Sequence, residues 1–166
     1  MTPDLFLRTA ILPAFGLLPE AMDGPQARAM VLAIALQESD LRYRQQRGGP
    51  ARGFVQFERG GIEGVLLHPS ATLKAADLCR SLNVDATTDA VYEAIAYQDV
   101  LCAGFARLAL WTCPLPLASP SEPPAGWRLY VEAWKPGKPR AGDWSPNFAV
   151  AWNAVLQQRQ TEVLKA

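Results

Sequence analysis

A chain of 166 residues has room for one domain with a proper core, and its 49% of apolar residues can fill it. Its 16 basic and 16 acidic residues cancel, so no overall field draws it to nucleic acid or to an anionic membrane. Three widely spaced cysteines (Cys79, Cys102, Cys113) without CxxC spacing and the single His68 make no metal cluster. They read as reduced thiols packed as small hydrophobes, and no metal or organic cofactor is expected.

The N-terminal run LFLRTAILPAFGLL (residues 5–18) is apolar enough to suggest an export signal. Asp4, however, stands where basic residues belong, Arg8 interrupts the run and Pro13 breaks it. Thr2, Pro3 and Asp4 instead supply an N-cap, a first-turn proline and an acidic first turn, which predicts a buried first helix over about residues 3–12. Synthesis in the cytoplasm without a signal peptide is the expectation, and no stretch reaches the ~20 apolar residues of a membrane span. Asp23, Gly24 and Pro25 open a second helix, about 25–40, whose apolar run 29–36 ends in Gln37-Glu38-Ser39-Asp40.

The basic run RYRQQR (residues 42–47) reads as a solvated loop; a duplex-binding surface built on Arg42, Arg44 and Arg47 is the lesser alternative. Segments 53–57 and 65–67 can pair as two short strands, and His68 before Pro69 marks a turn. Ser70 caps a third helix through about residue 80. The longest helix is predicted over 88–112, where Val91, Ile95, Gln98, Cys102, Phe105 and Ala109 share a face and Pro114 ends the pattern. The proline-rich stretch 114–126 crosses the surface, a short helix takes 127–134, and Pro146 opens the last helix, about 146–163. Trp111 and Trp152, inside apolar helices, are assigned to the core. The fold class is therefore mainly α, with at most a small β element, as one domain over residues 1–166.

On a helical wheel Glu38 follows Val31 and Ile34 on the apolar side of the second helix, close to its C-terminus. Burial and the negative end of the helix dipole both disfavour the anion and raise the pKa. A carboxyl still protonated near neutral pH suits general-acid catalysis on a poor leaving group. From periodicity alone, a frayed helix end with Glu38 turned to water is the competing reading.

Downstream residues add to this. Glu38-Ser39 at a helix end, then Gly53-Phe54-Val55-Gln56 after a polar loop, then Trp134-Lys135-Pro136-Gly137 at another helix end, occur in that order. The set resembles the lytic transglycosylase and goose-type lysozyme group of the lysozyme-like fold, with its Glu-Ser, Gly-Leu-Met-Gln-type and Tyr-Asn-x-Gly elements. The stretch GPARGFVQFERGGIEGVLLHP is similar to the phage and prophage branch, and the likeness covers about residues 19–152. Two departures stand out. Trp134 takes the tyrosine position, leaving Tyr130, one turn earlier, as the alternative phenol, and Lys135 replaces the asparagine.

The resemblance implies a peptidoglycan-cleaving muramidase. Glu38 would protonate the β-1,4 glycosidic oxygen between N-acetylmuramic acid and N-acetylglucosamine, then act as base. In a transglycosylase it takes the proton of the sugar's own C6 hydroxyl, giving a 1,6-anhydro end; in a lysozyme it works with water and a second carboxylate. Substrate contacts are expected from Ser39, Gly53, Phe54, Gln56, Glu58, Tyr130 and Trp134, with Tyr43 and Trp127 as further stacking candidates. The competing readings are a Ser39 hydroxyl bonding a helix carbonyl, a Gln56 amide bracing the loop, a Gly53 that only forms a turn, and core places for most of Phe54, Tyr43, Trp127 and Trp134. Asp40, Glu58 and Glu63 are candidates for a second carboxylate, Glu58 first among them, against a salt bridge from Glu58 to Arg52 or Arg59. The implied partner is a peptidoglycan strand and the protein a monomer. Made in a bacterial host, it would reach the cell wall through a holin lesion or as part of a virion. A catalytically inactive virion or glycan-binding protein of the same fold is the alternative.

Overall fold

A computed structural model describes residues 1–164. It holds eight helices and no strand among these residues. The first, α1, spans residues 3–16 in three joined pieces: an α turn Pro3–Phe6, a π segment Leu7–Ile11 and an α segment Leu12–Gly16. It therefore runs one turn past the predicted end at residue 12. Pro13 does not break it because the π register just before it makes Pro13 one of the first residues of a new α segment, where the missing N–H leaves no bond unmade.

Helix α2 is Pro25–Ser39, as the sequence suggests, but its apolar character is not a stripe. Every residue from 29 to 37 is buried, the pattern of a helix enclosed on all sides. It lies along the last helix, α8 (Ala141–Val163). Between α2 and the next helix the chain forms an irregular loop held by two isolated antiparallel bridges, Gln45 to Arg52 and Arg52 to Phe57. The expected strand pair 53–57 with 65–67 is not formed. Residues 65–67 belong to α3 (Arg59–Leu67), because Ile62 and Val65 need a helical spacing to reach the core together.

Helix α4 is Thr72–Ser81. Ser70 does not cap it; its hydroxyl meets Nδ1 of His68, which closes α3 in the turn expected of it. The predicted helix 88–112 is two helices, α5 (Thr88–Ile95) and α6 (Asp99–Thr112), interrupted at residues 96–98. Ten of the fourteen residues of α6 are buried, so α2 and α6 are the two helices most enclosed by the rest. Trp152 is buried as expected, whereas Trp111 is 37% exposed and lies under Arg107 and Lys74 rather than in the core. Cys79 and Cys102 are buried, Cys113 is half-buried, and none is bridged.

Helix α7 is Pro123–Trp134, starting a full turn before the predicted 127 on a first-turn proline. Gly126 on α7 lies where a Cβ would stand 2.8 Å from the Phe148 ring and 3.2 Å from Trp144, so its lack of a side chain sets the close approach of α7 to α8. Helix α8 begins at Ala141, with Pro146 inside it rather than at its start. No described helix is long and apolar enough to cross a membrane.

Candidate functional site

The C-terminal end of α2, the loop 43–58 and the end of α7 with the segment after it enclose a cavity of about 970 Å³. Glu38 lines it, half-buried. Two residues just beyond α2 fix where that helix ends. Asp40 and Leu41 are both left-handed (φ 50° and 53°), and the Asp40 N–H donates to the Leu36 carbonyl at 2.9 Å. Consecutive left-handed residues without glycine are disfavoured and persist where surrounding packing dictates them. Here Leu41 is buried in the core cluster. Gln56 (φ 52°) and Lys135 (φ 47°) are left-handed too, and both line the cavity.

The Tyr130 hydroxyl donates to Glu38 Oε1 at 2.6 Å. Its ring stacks on Trp144 at 5.2 Å with 12° between planes, and Trp127 packs at 5.3 Å on the same ring. Burial pushes the Glu38 carboxyl above its ordinary value of 4.5, opposed by the Tyr130 hydrogen bond and by the positive charge of Arg140. Burial, and then the neighbouring carboxylate, push the Tyr130 phenol well up, so it stays a donor. The phenol beside the carboxyl therefore comes from Tyr130. Trp134 lines the cavity but donates its indole N–H to the Val55 carbonyl at 2.9 Å and packs on Phe57 at 5.4 Å, tying the end of α7 to the loop.

Gln56 and Glu58 line the cavity. Gln56 Nε2 is bonded to the Gly53 carbonyl at 2.7 Å, leaving its Oε1 without a partner among the described residues. Glu58 is exposed and forms no salt bridge among them: Arg59 pairs with Asp89 and Glu93, and Arg52 bonds the carbonyls of Gly49 and Ala51. Of the other acids considered, Asp40 pairs with Arg42 at 2.8 Å and Glu63 is exposed on α3; neither lines the cavity. Tyr43 lines it as an exposed ring, and Trp127 does not reach it.

Two expected contact residues are buried elsewhere. Phe54 is 1% exposed, edge-on to Phe6 at 5.5 Å with the Arg44 guanidinium over its face, and belongs to the core. Gly53 (φ 71°) faces away from the cavity: a Cβ there would stand 2.6 Å from Cys102 Sγ and 3.0 Å from the Ile95 carbonyl oxygen. It nests against the break between α5 and α6, a break the periodicity does not show. The ion pair of Arg44 with Asp99, the first residue of α6, pins the loop there. Ser39 lines the cavity but is 5% exposed, its hydroxyl within hydrogen-bond distance of the Phe54 carbonyl (2.7 Å) and the Ala35 carbonyl (3.0 Å). It braces Glu38 from behind.

Sequence reasoning missed Arg140 and Gln37. Gln37 is 1% exposed; its amide donates to the Arg140 carbonyl at 2.8 Å and accepts from Asn147 at 2.9 Å. The Arg140 guanidinium in turn donates to the Gln37 carbonyl and to Asp143. This lock joins the Glu38 helix to the start of α8. A glutamine directly after a run of eight apolar residues is the signal that could have pointed to it. Against known proteins, the chain matches no family model, no curated protein and no solved structure.

Proposed function

We propose that the protein is a peptidoglycan-degrading muramidase of lysozyme-like fold, a lytic transglycosylase in which Glu38 is general acid and then general base. The observation that carries this reading is the Glu38 carboxyl: half-buried at the wall of a cavity large enough for sugar rings, shifted toward its protonated form, and held by the Tyr130 hydroxyl. Protonated Glu38 gives its proton to the glycosidic oxygen as the bond from C1 of N-acetylmuramic acid breaks. The resulting carboxylate takes the C6 hydroxyl proton while O6 bonds to C1, leaving a 1,6-anhydro end and a neutral Glu38. Tyr130 holds one carboxyl oxygen in place through both steps, and Ser39 fixes the backbone behind it. Gln56 and Trp134 offer an amide oxygen and an indole edge to the sugars.

A hydrolytic variant is favoured by one observation, the exposed Glu58 in the lining of the same cavity, unpaired among the described residues and able to activate water. The test is digestion of purified cell wall by the parent chain and by Glu38→Gln, with products weighed by mass spectrometry. Products one water lighter than a reducing end are expected from the parent and none from the variant. Products with reducing ends transfer the reading to hydrolysis with Glu58. No product from the parent leaves a glycan-binding protein without catalysis.

A further inference from the structure

The cavity carries a charge that the chain as a whole does not. Its lining includes Arg47, Lys135, Lys138 and Arg140 against two carboxylates, Glu38 and Glu58, while the full chain balances 16 against 16. Arg140 is engaged by Asp143. Elsewhere Arg8, Arg28, Arg42, Arg44, Arg59 and Arg80 each pair with a carboxylate. Arg47, Lys135 and Lys138 have neither an ion pair nor a side-chain hydrogen bond among the described residues. Unpaired like charges around one concavity repel, and a bound anion relieves that repulsion. Lys135 also sits left-handed just beyond α7, a conformation that asparagine, the residue of the resembled motif, takes more readily.

We infer that Arg47, Lys135 and Lys138 form a specificity wall for carboxylate groups on the glycan, so that the cavity selects a carboxylate-bearing β-1,4 strand over a neutral strand of equal length. This rests on the proposed glycan substrate. A strand offers such groups from two sources: the carboxylates of its stem peptides, and the lactyl carboxylate exposed when the stems are removed. Glu58 brings the opposing charge to the lining from the loop 43–58, while Lys135 and Lys138 stand on the segment after α7, so a strand that presents its carboxylates toward the lysines is the one accommodated.

The test measures binding to the full chain carrying Glu38→Gln, which leaves the ligand intact. Four probes of equal sugar length are compared: stem-bearing strands, strands stripped of stems by an amidase, stem-bearing strands with their carboxylates esterified, and N-acetylglucosamine oligomers. At low salt, one or both of the first two bind about tenfold tighter than the last two, and the preference shrinks as salt is raised. Which of the first two is preferred identifies the carboxylate that is read. Added Lys135→Gln and Lys138→Gln remove most of the preference with an unchanged circular dichroism spectrum, and Arg47→Gln alone removes part of it. Equal binding of all four probes, or a Lys135/Lys138 double variant that keeps the preference, overturns the inference. A parent chain that prefers carboxylated strands but cuts none loses the proposed function and keeps the wall. One that cuts charged and neutral strands alike does the reverse.

Discussion

Burial of the Glu38 carboxyl favours its neutral form, and Tyr130 and Arg140 limit how far. The folded chain therefore binds more protons than the unfolded one from about the ordinary value of 4.5 upward through the raised folded pKa. The contribution of Glu38 to stability falls as pH rises through that window and does not return above it. Glu38→Gln keeps an oxygen for the Tyr130 hydroxyl and removes the charge. It should melt above the parent near pH 7 and with it near pH 3, as differential scanning calorimetry would show. Tyr130→Phe removes a donor to the carboxylate while leaving the ring on Trp144. The alkaline limb of the pH–rate profile should then move up, because the acid stays protonated longer; an unmoved limb would remove Tyr130 from the acid's environment. Helical spacing marks Glu38 as a carboxylate in an apolar context but leaves a frayed end turned to water as the stronger reading, and its half-burial comes from the enclosure of α2 on all sides. Arg140 is not legible locally, since it reaches Gln37 from 103 residues away.

At the scale of elements, the break between α5 and α6 carries the loop. Gly53 approaches the open Ile95 carbonyl, and a methyl there meets Cys102 Sγ at a distance that real side chains do not adopt. Gly53→Ala combines that clash with a left-handed alanine and should cost about 2–4 kcal/mol in denaturant unfolding. A loss of activity without that destabilisation would instead return Gly53 to the cavity. Such a break is invisible in sequence because Ile95, Gln98 and Cys102 keep helical spacing across it. At the break the open end of α5 meets Gly53 of the loop, a tertiary contact that no local pattern announces. For the same reason residues 59–67 resemble a loop by their three glycines, Gly60, Gly61 and Gly64, yet form α3 once Ile62 and Val65 are drawn into the core.

Across the whole molecule, Glu38 and Tyr130 sit on different helices, and both α2 and α7 pack on α8. Their meeting depends on how closely α7 lies on α8, which Gly126 sets one turn before Tyr130. Gly126→Leu should push the helices apart, destabilise the fold by about 1–3 kcal/mol, and shift the pH–rate profile in the direction of Tyr130→Phe. Destabilisation with an unmoved profile would separate packing from the site. The helical class was legible from caps, prolines and periodicity. The enclosure of α2 on all sides was less so, because a run of apolar residues does not say how many neighbours will cover it.

The contact between Gly53 and Cys102 also equips the protein with a chemical stopwatch. Cys102 is fully buried and its thiol is pushed up to about 12, so it is silent toward alkylating reagents while the loop lies on it. Modification requires the loop at residues 53–55 to lift from α6. In a Cys79→Ser/Cys113→Ser background, the rate of alkylation would time each excursion of that loop, and, on the proposed function, a bound glycan should slow it.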